Sequence, residues 1–240
     1  MKKNCSALTL KVLAIIAMTV DHTALMFVSP DSILYYFMRM FGRLTAPIMA
    51  FFIAEGFQHT RSRKKYLLRL AAFGLISQPF FILMIFGKLP DSPLTCIVNW
   101  NVMVSLAIAL LCLIVLESGL PETPRLILIA VLISLGQLSD WSMMIPAWAV
   151  IFYIFRNDFR KKAILFAVAS VVMQTILFAK NYDSFLMFTY QYGTLFALIP
   201  ILLYNGKRGN VRHKNLNRWF FYVYYPAHML VLLVIRAMLN

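Results

Sequence analysis

Among the ionisable side chains inside the apolar stretches of this sequence are Asp21, His22, Arg39 and Arg43. A charged group near the centre of a bilayer costs at least about 2.5–3.5 kcal/mol, so each of them needs a partner. Arg39 and Arg43 share one helix face, and a carboxylate at matched depth is expected to pair with them. Because adjacent helix residues point about 100° apart, Asp21 is predicted to pair with the arginines, which leaves His22 for proton transfer. The alternative is an ion pair that only fixes helix packing, with His22 bonded to a carbonyl.

A second histidine stands in the last apolar stretch, where Tyr224-Tyr225-Pro226-Ala227-His228 interrupts the aliphatic residues. A proline removes one helix hydrogen bond, so backbone carbonyls become accessible to polar groups or water. His228 is therefore the second candidate base. The alternative is a helix kink with a hydrogen-bonded histidine.

A further set of polar residues lies where apolar stretches end in basic segments. Glu55 and His59 are four residues apart and share a helix face, just before a basic run. A second basic segment contains Gly206 and Gly209, which permit close backbone approach to a ligand. Phosphate binding is the functional interpretation, whereas contact with anionic lipids is the default for such segments. The two segments comprise Arg61, Arg63, Lys64 and Lys65, and Tyr204, Asn205, Gly206, Lys207, Arg208 and Gly209.

The elements that must position these groups are predicted to be membrane-spanning helices. Hydrophobic residues make up 61% of the 240 residues and charged residues only 13%, well below the usual quarter of a soluble domain. Apolar runs compared with the roughly 20 residues needed to cross a bilayer give about nine spans. The fold class is therefore an all-α, polytopic transmembrane helix bundle, with spans near 8–28, 33–56, 67–86, 102–117, 126–139, 142–155, 163–179, 187–204 and 219–239.

The distribution of basic residues predicts the orientation of this bundle. With the N-terminus in the cytoplasm, 18 of the 23 Lys and Arg residues fall on the inside, as the positive-inside rule expects. Nine spans then put the C-terminus outside. The run beginning at Leu8 is long enough to be an uncleaved first helix. Residues 1–240 are interpreted as one domain in the cell membrane of a bacterium, the inner or plasma membrane.

Two other classes of protein do not fit the sequence. A net charge of +14 can indicate a nucleic-acid partner, but here the basic residues lie between apolar runs. Cys5, Cys96 and Cys112 are odd in number and lack metal-ligand spacing, so neither a disulfide framework nor a zinc site is predicted.

The segments around these polar residues closely resemble the TraX family of membrane proteins, a family named for acetylation of conjugative pilin. The similar segments keep their order over nearly the whole chain, whereas residues 120–190 resemble the family mainly in hydropathy. They are Leu10-Lys11 to Asp21-His22, Gly42-Arg43-Leu44, Pro47, Phe51, Glu55-Gly56-Phe57, His59-Thr60, Tyr66, Arg69-Leu70, Asn101-Val102-Met103, Tyr204 to Gly209, Phe221-Tyr222 and Tyr225 to His228.

The resemblance implies a membrane-spanning acyltransferase, distantly similar to larger membrane acyltransferases, that takes an acetyl group from cytosolic acetyl-CoA. Acetyl-CoA would be a cosubstrate, with no permanently bound cofactor, and the acceptor would be an envelope peptide, protein or glycan. A histidine would act as the base, and Arg43, Asn101 or a tyrosine would face the oxyanion. The candidate catalytic residues are Asp21, His22, Arg43 and His228, and those for acyl-CoA are Arg39, Glu55, His59, Arg61, Lys64, Lys65, Asn101, Tyr204, Asn205, Lys207 and Arg208.

Two other functions remain open at this point. Charges inside a membrane also build transport paths, so a transporter or flippase is one alternative. A non-catalytic factor that assembles an envelope structure is the other.

Overall fold

The computed structural model describes residues 4–179, 189–209 and 214–239, and every element in these ranges is helical. Side chains are described throughout except at 177–179 and 214–218. The predicted inside residues Lys2, Lys3 and Arg212, the outer Lys180 and residues 187–188 of the eighth predicted span lie outside the described residues. So do the side chains of Lys214 and Arg218. The described chain divides into two compact units.

The first unit comprises residues 1–49 and 155–217. Its helices are α1 (Ala7–Phe27), α2 (Ile33–Gly42), the start of α3 (Thr45–His59), α9 (Phe159–Ala179), the 3-10 helix Tyr190–Ala197 and α10 (Leu198–Leu202). Serines cap α1 and α2, because the Ser6 hydroxyl accepts from the Thr9 N–H and the Ser32 hydroxyl accepts from the Tyr35 N–H. Near its middle, α1 is tied to α3, since the Thr45 hydroxyl donates to the Ala14 carbonyl at 3.2 Å.

The second unit comprises residues 50–154 and 218–240. It holds the rest of α3, α4 (Arg63–Phe86), α5 (Pro93–Ile97), α6 (Val102–Leu116), α7 (Glu122–Leu135), the 3-10 helix Gly136–Leu138, α8 (Met144–Ile154) and most of α11 (Lys214–Leu239). Helix α6 forms its centre and contacts α4, α7 and α8. Leu106, Leu110 and Leu113 on α6 and Trp148 on α8 are almost completely buried.

Four helices are long and apolar enough to cross a membrane by length and composition: Ala7–Phe27, Ile33–His59, Arg63–Phe86 and Trp219–Leu239. The protein is therefore a membrane protein, but the predicted count of nine spans is not supported. Helices Val102–Leu116, Met144–Ile154 and Tyr190–Leu202 are shorter. A helix such as α6 is apolar because protein surrounds it, and hydropathy does not distinguish this from lipid. The sides on which the termini lie stay a prediction.

Candidate functional site

The first unit contains a buried group of charged side chains built on α1 and α2. Arg39 Nη1 donates to Asp21 Oδ2 at 2.8 Å, and Arg43 Nη2 donates to Asp21 Oδ1 at 2.6 Å. The carboxylate thus gives one oxygen to each guanidinium, and all three side chains are at most 12% exposed. The pairing predicted from helix geometry is confirmed, and it involves both arginines.

Two backbone features position this charged group: the close approach of Gly42 to Asp21, and the interruption between helices α2 and α3. Gly42 lies against Asp21, and a Cβ at residue 42 would overlap the carboxylate. Helix α2 ends at Gly42, and α3 starts at Thr45, so Arg43 stands at the break within the span Ile33–His59. Its Nε donates back to the Arg39 carbonyl at 3.3 Å. A break of this kind is typical of sites inside membrane proteins.

The 3-10 helix Tyr190–Ala197 completes this surrounding. Arg43 Nη1 donates to Gln191 Oε1 at 3.2 Å. The Tyr190 ring centroid lies 5.3 Å from the guanidinium carbon of Arg39 and 5.5 Å from that of Arg43, within cation–π range. Neither Tyr190 nor Gln191 was a candidate from sequence. The available signal was the polar amide of Gln191 within the apolar stretch 187–204. The high mean hydropathy of that stretch led to its interpretation as a span only.

His22 follows Asp21 on α1 and is half-buried. It lies near enough to Asp21 to interact electrostatically with it, but the direct hydrogen bonds of the Asp21 carboxylate described above come from the arginines. Asp21 is thus held by Arg39 and Arg43, the pairing that the helix geometry predicted. The role of His22 as a base stays a prediction.

The basic segment 204–209 of the first unit is joined to the start of α1. The Cys5 N–H donates to the Leu203 carbonyl at 2.9 Å, and the Asn205 N–H donates to the Cys5 carbonyl at 2.9 Å. Farther on, the N–H groups of Ala7 and Leu8 donate to the carbonyls of Lys207 and Arg208. These bonds satisfy two of the free N–H groups at the helix start. Segment 204–209 and the N-terminus of α1 therefore lie on the same side of the membrane.

The two glycines in this segment have different surroundings. Gly206 and Gly209 both have positive φ, 73° and 86°, a conformation that glycine adopts without strain. A Cβ at residue 209 would meet the Ser6 hydroxyl at 2.6 Å, whereas residue 206 has open space around it. Gly209 is thus needed for pairing with α1, and the side chains of Lys207 and Arg208 remain exposed. Half-buried Lys11 lies close enough to Arg208 to repel it electrostatically.

In the second unit, the predicted acidic and basic residues stand around the end of α3 and the start of α4. Glu55 Oε2 and His59 Nε2 are 4.0 Å apart, so the two residues share a face as predicted. Arg61, Lys64 and Lys65 are exposed.

Asn101 is fully buried in the second unit and caps α6. Its Nδ2 donates to the Gly74 carbonyl at 2.7 Å and to Gln78 Oε1 at 2.7 Å, and its Oδ1 accepts from the Met103 N–H at 3.0 Å. Both N–H bonds of the amide are therefore in use. A role for Asn101 at an oxyanion or at CoA would require that one of these bonds be given up.

His228 is also buried, on α11 of the second unit. Its Nδ1 lies 2.9 Å from the Tyr224 carbonyl, and its ring stacks on that of Tyr224 with 5.2 Å between centroids. A carbonyl only accepts, so Nδ1 carries the proton and Nε2 carries the lone pair of the neutral ring. His228 is thus hydrogen-bonded, as the alternative interpretation predicted. The same Nδ1 bond fixes the tautomer with its lone pair on Nε2, which a base would need.

Comparison with known proteins gives two matches over nearly the whole chain. A family model described as "TraX protein" matches residues 6–236. A protein of Dichelobacter nodosus named "Probable fimbrial assembly protein FimC, serogroup H1" is 34% identical over 233 residues, which cover 95% of this chain and 94% of that protein. No solved structure matches this chain.

Proposed function

Because the chain belongs to the TraX family, we propose that it is an integral membrane acetyltransferase. It would move an acetyl group from cytosolic acetyl-CoA to an amine or hydroxyl of an envelope or exported acceptor. A pilin-like N-terminus is one such acceptor, since the family is named for pilin acetylation. The observation that carries the proposal is the buried Asp21–Arg39–Arg43 group beside His22, inside a membrane-spanning segment. Ionisable groups at such depth mark functional sites.

The proposed reaction is direct transfer without an acyl-enzyme. The acceptor nitrogen or oxygen attacks the thioester carbonyl carbon, and His22 takes the proton that the acceptor loses. The new C–N or C–O bond forms, negative charge develops on the carbonyl oxygen, and the C–S bond then breaks. The CoA thiolate leaves and recovers a proton from the imidazolium, so charge and atoms balance. Arg43 stabilises the oxyanion through its positive charge.

The ion pairs of Asp21 give the site its permanent arrangement. Asp21 compensates part of the arginine charge and fixes both guanidiniums, so little reorganisation is needed when charge develops. Arg39 would remain a binding residue for the acyl donor. His228 stays the second candidate base, because its Nδ1 bond to a carbonyl leaves the basic lone pair on Nε2.

The phosphates of the donor are proposed to bind at the cytosolic end of α1. Lys207 and Arg208 are exposed there and lie on the side of the α1 N-terminus, and arginine and lysine side chains suit phosphate oxygens. His22 is 16 residues from Ser6 in sequence, about 24 Å along a helix at 1.5 Å per residue. The pantetheine arm separates the thioester from the phosphates, so in this proposal it spans the distance between the two regions. Glu55, His59, Arg61, Lys64, Lys65, Asn101, Tyr204 and Asn205 stay candidates for the same ligand.

In this proposal the N-terminus lies in the cytoplasm and the protein in the inner membrane of a bacterium. Acetyl-CoA is cytosolic, so its phosphate site must face that side. The excess of basic residues on the segments predicted inside supports the same orientation.

The first experiment follows CoA release by the purified protein in lipid nanodiscs with amine and hydroxyl acceptors. Wild type should release CoA, and His22→Ala should lower kcat by about 10²–10⁴-fold, the usual contribution of a general base. If His22→Ala and His228→Ala both leave turnover unchanged, neither histidine is the base. Thermal stabilisation by acetyl-CoA, with none by unrelated nucleotides, would oppose the transporter alternative.

A second experiment tests the phosphate site with two donors. The double variant Lys207→Gln/Arg208→Gln should raise KM for acetyl-CoA, because phosphate contacts are lost, and leave KM for S-acetylpantetheine unchanged. Lys88→Gln is the matched control, since Lys88 is an exposed lysine paired with Asp91 at 3.7 Å. An equal rise in KM for both donors would remove the phosphate site from the proposal.

A non-catalytic assembly factor is the second candidate function, favoured by the name of the Dichelobacter relative, a probable fimbrial assembly protein. This function predicts a stable envelope partner that is captured equally by wild type and His22→Ala. Capture that is equal, together with no CoA release by wild type, would replace the acetyltransferase proposal with this one.

A further inference from the structure

The 3-10 helix Tyr190–Ala197 is an unusual element of the first unit. It runs for eight residues, whereas 3-10 helices seldom exceed about four. Its backbone approaches α2 so closely that a Cβ at Gly193 would collide with the Met40 carbonyl. A long 3-10 segment often marks a functional or strained place, and here it puts Gln191 against Arg43.

The contact with Arg43 fixes the orientation of the Gln191 amide. Arg43 Nη1 donates to Oε1 at 3.2 Å, and a guanidinium only donates, so this branch of the amide must be the oxygen. The other branch is therefore Nε2, with two N–H donors. In residues 4–179, 189–209 and 214–239, Arg43 supplies the one side-chain hydrogen bond that Gln191 makes.

The backbone of Gln191 is held from α9. Gln174 Nε2 donates to the Gln191 carbonyl at 3.0 Å and to Thr194 Oγ1 at 3.0 Å, and Gln174 is 1% exposed. The Gln191 carbonyl only accepts, so the orientation of the Gln174 amide is also settled. Gln191 is thus held through its carbonyl and its side-chain oxygen, which preorganises its N–H groups.

We propose that Gln191 is a further catalytic residue whose Nε2 donates a hydrogen bond to the oxyanion of the thioester. The proposal rests on the acetyl-transfer function. In it, the carbonyl oxygen gains negative charge as the acceptor attacks, the Gln191 N–H and Arg43 both face that charge, and the proton goes to His22. The N–H bond is not broken, so Gln191 returns unchanged when the C–S bond breaks.

The comparison with Asn101 favours Gln191 for this role. Both side chains are amides inside apolar surroundings, and sequence alone made Asn101 the candidate. Asn101 uses both of its N–H bonds on Gly74 and Gln78, whereas the bond between Gln191 and Arg43 uses the Gln191 oxygen. The two amides therefore differ in which atom is bonded: the nitrogen of Asn101 is used within the protein, whereas the oxygen of Gln191 is used and its nitrogen can donate to a substrate.

The test is the isosteric variant Gln191→Glu. It keeps a carbonyl-type oxygen for Arg43 and removes both N–H donors, so kcat should fall by about 10²–10³-fold, as for loss of one oxyanion donor. KM for acetyl-CoA and the melting temperature should stay close to wild type. Gln137→Glu is the matched control, because Ser142 donates to Gln137 Oε1 at 2.8 Å on an exposed surface, and its kcat should not change.

Gln191→Met separates this role from the positioning of Arg43. The loss of the oxygen as well as the N–H groups should lower kcat at least as much as Gln191→Glu does. If wild type turns over and Gln191→Glu keeps its kcat while Gln191→Met loses it, Gln191 only positions Arg43 and the proposal is overturned. If wild type releases no CoA with any acceptor, the acetyl-transfer function fails and this proposal fails with it.

Discussion

Each of the two units buries a group of polar side chains, and the two groups differ in charge and in completeness. In the second unit, Asn101 and Gln78 are neutral amides bonded to each other and to backbone carbonyls. In the first unit, Asp21, Arg39 and Arg43 are charged, and Arg39 Nε is buried without a hydrogen-bond partner among the residues that the structure describes. The first group thus carries a larger desolvation cost and leaves part of it uncompensated.

The difference is the reason for proposing the charged group, rather than the neutral network, as a site for chemistry. A neutral network that satisfies its own donors and acceptors joins helix ends and fixes one arrangement of the chain. Buried charges with incomplete bonding cost stability and are retained where they have a function. The following substitutions test this distinction, beginning with the largest expected effect.

Removal of the carboxylate at Asp21 should have the largest effect. Asp21→Asn leaves two buried guanidiniums without their anion, so the free energy of unfolding should fall by about 3–5 kcal/mol. Thermal and chemical unfolding in detergent measure this change. The triple variant Asp21→Leu/Arg39→Met/Arg43→Met should regain most of the stability, because apolar side chains replace the ions, and should show no turnover. An Asp21→Asn protein as stable as wild type would contradict a charge-dependent site.

Substitution of Gly42 should perturb the same charges without removing them. The Cβ of Gly42→Ala must displace the Asp21 carboxylate, so we expect a loss of about 1–3 kcal/mol, typical of overpacking, together with lower kcat. Gly119→Ala is the matched control, because a Cβ there meets nothing within 4 Å, and its stability should stay within about 0.5 kcal/mol of wild type. Equal stability of the two variants would show that the ion pairs tolerate displacement.

The neutral network should respond in stability alone. Gln78→Leu removes the donor to the Asn99 carbonyl and the acceptor of the Asn101 amide, so unfolding free energy should fall by about 1–3 kcal/mol per buried group left unsatisfied. Below the melting temperature, kcat and KM should match wild type. If folded Gln78→Leu protein lost kcat, this network would take part in the reaction, and the two units would no longer differ in this respect.

The smallest effect is expected at the exposed carboxylate of Asp158, because water solvates its charge. The Lys161 N–H donates to Asp158 Oδ1 at 3.0 Å and holds the pKa of that carboxyl below its ordinary value of 3.8. A carboxyl whose pKa is lowered by folding stabilises the fold at pH values above 3.8, and this contribution is lost as pH falls from 3.8 through the lowered pKa. Asp158→Ala should therefore lower the melting temperature slightly at pH 7 and not at low pH. Asp91→Ala, which removes an exposed carboxylate on a different loop, should change it at neither pH.

Part of the candidate site followed from the sequence. Asp21, Arg39 and Arg43 pair as predicted, because periodicity and depth along two helices suffice to bring such charges together. The spacing of Glu55 and His59 likewise placed them on one face. Both predictions depend on distance along a helix, which 1.5 Å per residue already determines.

Other features depended on contacts between distant parts of the chain. Gln191 reaches Arg43 from 148 residues away, and nothing local to an apolar stretch indicates that partner. The predicted count of nine spans is not supported, for a related reason. A helix such as α6 is apolar because other helices surround it, and composition gives the same signal for a protein core and for lipid.

By itself, the sequence determined that this is a helical membrane protein with charges inside its spans, because composition and helical periodicity are local properties. Its membership of the TraX family also followed from sequence, through the match over residues 6–236. Tertiary structure decided which polar atoms form hydrogen bonds within the described residues. The amides of Asn101 and Gln191 are chemically alike. Packing alone lets the Asn101 nitrogen donate to two acceptors and directs the Gln191 oxygen towards Arg43. A hydrogen bond depends on the position and direction of both partners, and folding alone sets these.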